Sequence, residues 1–478
     1  MRDVDVERQI ADKLKMYPIS DEEHRLYVLD QIINDRGVLV DGELAEQAVK
    51  LNSIQTAVAV EQAYMITGLE NPNSVTQLKQ WLKENGVEIE SLSKKAVKSL
   101  ADETDGDVSE MLKLRLLMAK TSVKKYEAVI RSVCRDNRVH GMMRFCGANR
   151  TGRWSGNILQ PQNLPQNHLP DLTLARNIVK DGDFEMLDMM FGNVPNVLSE
   201  LIRTVLIPKP NHRFIVADFS AIEARVLAWI AGEQWRIDTF KNGGDIYCAS
   251  ASKMFKVPVE KHGVNGELRQ KGKISELACG YGGSVGALKN MGAVEMGVQE
   301  NELQGLINDW RNANPHIVRF WYEVGNAAMK AIKEKTTVPL GKLVFAYERG
   351  ILFIRLPSGR RLSYIKPRIG TNRFGGDSIT YMGINSAKKW DRLETFGGKL
   401  TENIVQGTAR DLLANALINA ANAGYDTVFH VHDEIICEVP NGYGSVDELC
   451  RLMCIKTDWA DGLPLNADGF ECEYYKKE

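Results

Sequence analysis

Acidic side chains interrupt two of the most hydrophobic stretches of this 478-residue chain. His430–Pro440, HVHDEIICEVP, alternates like a β-strand with Val431, Ile435, Ile436 and Val439 to bury, yet it sets His432, Asp433 and Glu434 side by side. The plain reading of Asp433–Glu434 is a hairpin tip, where water solvates both carboxylates. In HRFIVADFSAIEARVLAWIAGE an apolar strand ends at Asp218; a helix follows, with Ile222, Val226, Leu227 and Ile230 on one face, and stops at Gly232. A carboxylate at the end of a buried strand is well placed for catalysis. A third segment, RQKGKISELACGYG, spaces Arg269, Lys273, Leu277 and Tyr281 four residues apart. On a helix each such step drifts only about 40°, so the four share one curved face. That face is either the solvated side of an amphipathic helix or, as the basic residues in the row with Leu277 and Tyr281 suit better, a cradle for a nucleotide.

Charge points the same way. The net charge is only −2, but Lys113–Arg153 holds eleven Lys or Arg against two acids, Glu127 and Asp136. Such a block is the footprint of a polyanion site, because each phosphate neutralised releases counterions. A solvated helix face would normally carry both signs.

The elements needed to hold these groups are legible in outline. Residues 1 to 130 read as mostly helical, with helical spacing in EEHRLYVLDQIINDRG and DGELAEQAVKLNSIQTAVAVEQAYMI. A short helix in NSVTQLKQWLKENG has Asn73 or Ser74 as its cap and Gly86 as its stop. LKLRLLMAKTSVKKYEAVIRSV reads as one longer basic helix. Gly, Asn, Gln and Pro in GMMRFCGANRTGRWSGNILQPQNLPQN predict strand and loop. Residues 236 to 335 return to helix, 336 to 385 carry strand-like pieces, and ENIVQGTARDLLANALINAANAG is a helix before the HVHDE strand. Residues 365 to 400 are placed no further than a glycine-rich surface or fingers element.

With 44% hydrophobic and 26% charged residues and no apolar run long enough to cross a bilayer, a cytoplasmic protein of two to four lobes is expected. The eight scattered cysteines suit a reducing compartment, and they form neither a CxxC pair nor the His/Cys cluster that a zinc site needs.

DFSAIEAR, RQKGKISELACGYGG, QGTARD and HDE, in that order and with TGRWSG and QPQNLP upstream, resemble the DNA polymerase I family, the family A polymerases, and most of all its bacteriophage-type members. The resemblance runs from about residue 20 to the end. It implies an α+β right-hand fold: a palm with an antiparallel sheet, a helical thumb and helical fingers. The expected divisions are 1–20 as linker or remnant, 21–145 as thumb with the first palm segment, 146–235 and 401–478 as palm, and 236–400 as fingers. The helix bearing the nucleotide contacts is expected over 266–283.

The activity so implied is template-directed addition of deoxynucleotides to a primer end in phage DNA replication, with primer-template DNA and dNTPs as partners, by a monomer in a bacterial host's cytoplasm. Two Mg²⁺ ions roughly 4 Å apart serve that reaction, with Mn²⁺ able to substitute. The family pattern puts them on Asp218 and Asp433, with the Phe219 carbonyl completing one sphere and Glu434 a lesser neighbour. Arg269 and Lys273 would bind the triphosphate, with Lys273 protonating the leaving pyrophosphate. Tyr281 would stack at the templating position, and Glu223, otherwise just a helix N-terminal charge, would exclude the ribose 2′-hydroxyl. Arg153 resembles a minor-groove reader; Gln162, Asn163 and Gln406 would follow the duplex, His432 the primer end, and Lys120, Lys124 and Lys125 the phosphates. Arg225 is expected to support the site without touching substrate. Single-subunit RNA polymerases lack the glutamate and end their third motif in His-Asp-Ser.

Three positions depart from the pattern. Leu277 stands where Phe or Tyr is common, Tyr247 where a phosphate-binding His is common, and Glu402 where an Asn usually precedes QGT. A proofreading exonuclease domain has no room here, although RDVDVERQI resembles the tail of one; the expectation is a fragment of a longer protein with Asp3 as a remnant ligand. Two other classes remain open: a two-metal nuclease, which leaves the Arg269–Tyr281 row unexplained, and a catalytically silent nucleic-acid-binding protein, which would have lost its carboxylates.

Overall fold

A computed structural model describes residues 2–119, 123–372 and 375–477. The charged N-terminal segment forms helix α1 (Arg2–Leu14), whose side chains from Asp3 onward are exposed. Ser20 accepts a hydrogen bond from the Glu23 amide and opens α2 (Asp21–Arg36), which ends at Gly37. After strand β1 (Val38–Val40), α3 (Gly42–Thr67) is capped by Asp41. Helices α4 (Val75–Glu84), α5 (Lys94–Glu103) and α6 (Gly106–Met118) pack with the far half of α3 around Leu78, Leu82, Met111 and Leu112. Ser74, rather than Asn73, caps α4.

The single basic helix expected through residues 112–133 is two: α6, and then α7 (Lys124–Ser132). Burial explains the break. Met111 and Leu112 fill the core beneath α3–α6, whereas Tyr126 and Val129 belong to another core with Leu44 and Leu198, and one straight helix cannot serve both. Lys120 lies outside the described residues.

Between these helices and the catalytic strands run β2 (Arg138–Val139), a ribbon of β3 (Met143–Arg144) and β4 (Ser155–Gly156), a 3₁₀ turn Pro161–Asn163, helices α8 (Leu172–Asp181), α9 (Phe184–Phe191) and α10 (Val194–Leu201), and β5 (Leu206–Ile207). Strand β6 (His212–Phe219) leads into α11 (Ile222–Ala231), which buries Ile222, Val226 and Leu227 and ends at Gly232.

Helices α12 (Gln234–Lys241), α13 (Ile246–Phe255), α14 (Leu268–Cys279), α15 (Val285–Asn290), α16 (Leu303–Ala313) and α17 (Pro315–Glu334) follow. The helix expected over 266–283 is shorter than that, because Gly280, Gly282 at φ 82° and Gly283 end it before Tyr281. Next comes a meander of six antiparallel strands: β7 (Thr337–Leu340), β8 (Leu343–Glu348), β9 (Ile351–Arg355), β10 (Arg361–Thr371), β11 (Asp377–Ile384) and β12 (Trp390–Thr395). Its inner face, with Phe345, Leu352, Tyr364 and Tyr381, packs on α17 and on α18 (Gly397–Asn422). Most of the stretch left unplaced from sequence is thus the outer half of this sheet.

The chain then returns as β13 (Thr427–Val431), β14 (Glu434–Pro440), α19 (Val446–Met453) and β15 (Ala467–Cys472). These strands flank β6 in a four-stranded antiparallel sheet of order β13-β14-β6-β15. Helix α18 and this sheet share the largest core with α11, α14 and α16. No described helix is long and apolar enough to cross a membrane.

Candidate active site

Strand register brings the two acidic segments together. On β6 and β14, Ala217 lies opposite Ile435 and Asp218 opposite Glu434, while β15 sets Asp468 against the other side of Asp218. His432 and Asp433 form the two-residue turn of the β13–β14 hairpin, His432 taking the left-handed backbone that tight hairpins require (φ 55°). The Phe219 amide donates to the Asp433 carbonyl at 3.2 Å, which ties the end of the first motif to the third.

The carboxylates are not in equal surroundings. Glu434 is buried, accepts from the Tyr475 hydroxyl at 2.7 Å and lies 3.4 Å from the Lys477 ammonium. Asp218 is more open and lies 3.6 Å from the same ammonium. Asp433 has its Oδ1 buried without a hydrogen-bond partner among the described residues. The hairpin tip was expected to leave Asp433 open to solvent, but its side chain is only 18% exposed because Arg153 covers it at 3.6 Å. Burial pushes the Asp218 and Asp433 carboxyls up to about 6; Lys477 opposes this at Asp218 and Arg153 at Asp433.

Arg153 is held by the TGRW loop, which is braced on three sides. The Trp154 indole donates to Asp30 at 2.9 Å and meets His430 edge-on at 4.7 Å. Arg410 donates to the Gly152 carbonyl at 3.1 Å, and Arg360 to that of Thr151 at 2.8 Å. From this loop Arg153 pairs with Glu223 at 2.8 Å, and Glu223 accepts from the Tyr281 hydroxyl at 2.7 Å. Asp433, Arg153, Glu223 and Tyr281 therefore form one continuous chain from the hairpin to the end of α14.

Helix α14 is fixed from behind. Glu276 pairs with Arg236 at 2.5 Å, both nearly inaccessible, and accepts from the Trp310 indole at 2.8 Å. The outward row begins with Arg269, which donates to Asp245 at 2.8 Å and lies over the Tyr247 ring at 5.2 Å. Asp245 also caps α13; burial raises its carboxyl, but Arg269 and the capped amides outweigh this and hold it below the usual range. Lys273, one turn on, is half-buried with no anionic partner among the described residues, and Leu277 is 51% exposed.

The remaining expected contacts divide. Gln162 and His432 line a small cleft with Arg153, whereas the Asn163 amide is used locally on Gln160 at 2.8 Å. Gln406 is half-buried on α18, and Asn403 nearby is committed to the Tyr364 hydroxyl at 2.9 Å. Lys124 is exposed and Lys125 reaches the Leu159 carbonyl at 3.3 Å; neither contacts the carboxylates. Arg225 donates to the Ser220 and Pro464 carbonyls at 2.6 and 2.9 Å, a supporting position. Sequence reasoning missed Asp245, Asp468, Tyr475 and Lys477. Of these only Asp245 carried a signal, as a capping residue in GGDIYCAS.

In shape this is a right-hand polymerase. The POL domain of Pol1 from M. smegmatis, solved in complex with DNA primer-template and dNTP, matches with a TM-score of 0.65 at 20% identity, covering 95% of this chain and 69% of that one. Residues 42–454 match the model of DNA polymerase family A, and a DNA polymerase of Bacillus phage SP02 is 52% identical across all of this chain and 74% of its own length. The chain belongs to DNA polymerase family A, the DNA-directed DNA polymerases expected from its four motifs. The DNA polymerase I of Borreliella burgdorferi is 24% identical over 66% of this chain, which spans 31% of that protein.

Proposed function

We propose that this chain extends a DNA primer with deoxynucleotides by two-metal phosphoryl transfer, with Asp218 and Asp433 as the metal-bearing carboxylates. The observation that carries this reading is the desolvated Asp433 carboxylate, whose Oδ1 has no hydrogen-bond donor among the described residues and only the Arg153 guanidinium at 3.6 Å, one backbone hydrogen bond from the Asp218 strand. Buried carboxylates lacking donors are costly unless a cation satisfies them. Hard oxygens, two side chains and the Phe219 carbonyl suit Mg²⁺, with Mn²⁺ able to substitute and water and nucleotide phosphates supplying the other ligands. Held by these groups, such ions would supply the Lewis acidity that eases deprotonation of a primer hydroxyl and offsets charge on a leaving phosphate.

The chain's own residues then have separable tasks. Arg269, pre-aligned by Asp245 and Tyr247, grips the triphosphate, and Lys273 holds a proton for the pyrophosphate. Glu223, clasped between Tyr281 and Arg153, presents a carboxylate and its bulk to the sugar edge. Arg153, Gln162 and His432 face the primer-terminal pair, while residues 21–145 act as the thumb on the duplex. Glu434 acts as a positioning residue through Tyr475 and Lys477.

Primer extension on a defined template with Mg²⁺ and each dNTP tests the reading. Templated extension that Asp218→Ala or Asp433→Ala abolishes, with duplex binding retained, supports it; shortening of the primer would instead make the enzyme a nuclease.

A further inference from the structure

Residues 337–395, the six-stranded sheet, carry eleven Lys or Arg against four acids in a chain whose net charge is −2. The sheet buries one face on α17 and α18, and the catalytic constellation makes no use of the other. On that outer face Arg355 and Arg361 stand directly opposite one another across β9 and β10, a pairing of like charges that costs stability unless an anion shares them. Arg361 is partly compensated by Glu348 at 3.2 Å, but Arg355 has no acidic partner among the described residues.

The far end of the face adds an aromatic. Trp390 on β12 lies opposite Ile384 on β11, and the two are 58% and 47% exposed. Lys388 and Lys389, both exposed and without ion-pair partners among the described residues, immediately precede Trp390 in the connecting turn. Arg392 is oriented on the same face by the Thr380 hydroxyl at 3.1 Å and the Lys366 carbonyl at 3.3 Å. The acids in this part are Asp391, which accepts from Asn385, and Glu394. Trp390 is thus an exposed indole with Lys388 and Lys389 just before it in the chain and Arg392 on its own face.

The opposite, inner face of the same strand end touches the active-site loop: Arg150, three residues before Arg153, lies over the Tyr381 ring at 4.4 Å and against Gly383, where an added Cβ would collide with its guanidinium. Strand β11 therefore carries the patch on one face and the loop that reaches Asp433 on the other.

We infer that the β11–β12 end of the sheet, with Trp390, Lys388, Lys389 and Arg392, binds the unpaired template strand. The inference rests on the polymerase reading above. Unpaired bases offer π-faces to an indole, whereas a duplex keeps them stacked, and the backbone phosphates match the surrounding cations. A protein partner could also use Trp and Arg as anchors, but the excess positive charge of the sheet and the patch's place on a strand whose other face holds the primer-side loop favour the nucleic acid.

The test compares affinities for two primer-templates, one with about 2 and one with about 12 unpaired template nucleotides, a length suited to one such site. The full chain should prefer the longer overhang by roughly 10-fold at low salt. The Lys388→Ala, Lys389→Ala, Trp390→Ala triple variant should lose that preference while keeping its affinity for the short overhang and its rate of extending that primer. Trp390→Phe, which keeps a stacking ring, should retain most of it. The absence of any overhang preference in the unaltered chain, or an undiminished preference in the triple variant, would overturn the inference and in the latter case leave the patch to a protein partner. Equal losses on both substrates would overturn it too. Because binding is read without turnover, failure to extend would count against the polymerase reading alone.

Discussion

In the palm, Asp218 and Asp433 are set by strand register and by a backbone hydrogen bond, and they lie where desolvation works against their charge. On α14, Arg269 and Lys273 stand on the outward face of a helix whose other side is pinned by Glu276 and Arg236; Arg269 is paired with Asp245, and Lys273 has no anionic partner among the described residues. The contrast separates two jobs. A metal site gains from carboxylates held close and poorly solvated, because the ion repays the desolvation. A triphosphate that must enter and leave as pyrophosphate gains from cations already held in place on a rigid helix, so that binding costs little rearrangement.

The largest break should come from the palm. Asp218→Ala or Asp433→Ala is expected to lower primer extension by at least about 10³-fold, the scale of charge stabilisation lost with a metal, while duplex affinity measured by anisotropy changes little. A rate comparable to that of the unaltered chain in either variant would mean that the carboxylate removed does not carry the metal. On the fingers side, Lys273→Ala should cost on the order of 10²–10³ in kcat, as loss of a general acid does. Arg269→Ala should chiefly raise KM for the nucleotide.

Glu223 links the two regions, and its removal sharpens the comparison. Glu223→Ala should raise ribonucleotide incorporation by roughly 10- to 100-fold in single-turnover competition, the range that one steric contact provides. Tyr281→Phe removes only the 2.7 Å hydrogen bond to Glu223 and should show a smaller change in the same direction. Unaltered sugar selectivity in both variants would leave Glu223 as a purely structural link.

The smallest effect concerns stability. Folded-state carboxyl pKa values near 6, above the ordinary 3.8, mean that the folded chain binds these protons more tightly than the unfolded one. Their contribution to stability is therefore present at low pH and is lost as pH rises through about 4 to 6. Asp433→Asn should accordingly raise the Tm of metal-free protein at pH 8 by the equivalent of about 1 kcal/mol, with a smaller gain for the more exposed Asp218. Excess Mg²⁺ should reverse the ranking by stabilising only the unaltered chain. A Tm that is insensitive to these substitutions would show that Arg153 and Lys477 already compensate the charge.

The sequence disclosed what local rules govern. A continuous apolar run found β6, period-two alternation the β13–β14 hairpin, Ser74 and Gly232 marked helix ends, and the four-residue spacing found Arg269, Lys273 and Leu277 on α14, though not that the helix ends before Tyr281. It misjudged what tertiary burial decides. The α6–α7 break depends on two cores that no local pattern separates, and the near-burial of Asp433 depends on Arg153 arriving from 280 residues upstream in the chain. Tyr475 and Lys477 could not be foreseen, because only the pairing of β15 with β6 carries the C-terminal segment back to Glu434 and Asp218. Arg360 and Arg410 lie in motif-like surroundings, yet their acceptors on the TGRW loop belong to a different segment altogether.

The bond from the Phe219 amide to the Asp433 carbonyl has an architectural consequence. The chain leaves the palm sheet at Phe219 and rejoins it at Thr427, on a strand separated from β6 only by β14 and level with Ile215, so the departure and return points are roughly 15–20 Å apart on one sheet. Of what lies between them, α11, α14, α16 and α18 are welded to the palm by a common core, whereas the six-stranded sheet has a core of its own against α17 and α18. That sheet is in effect a cassette: it can lengthen or acquire strands over evolutionary time without moving either carboxylate, and a chimaera joined at Thr337 and Thr395 would be the natural way to transplant it onto another palm.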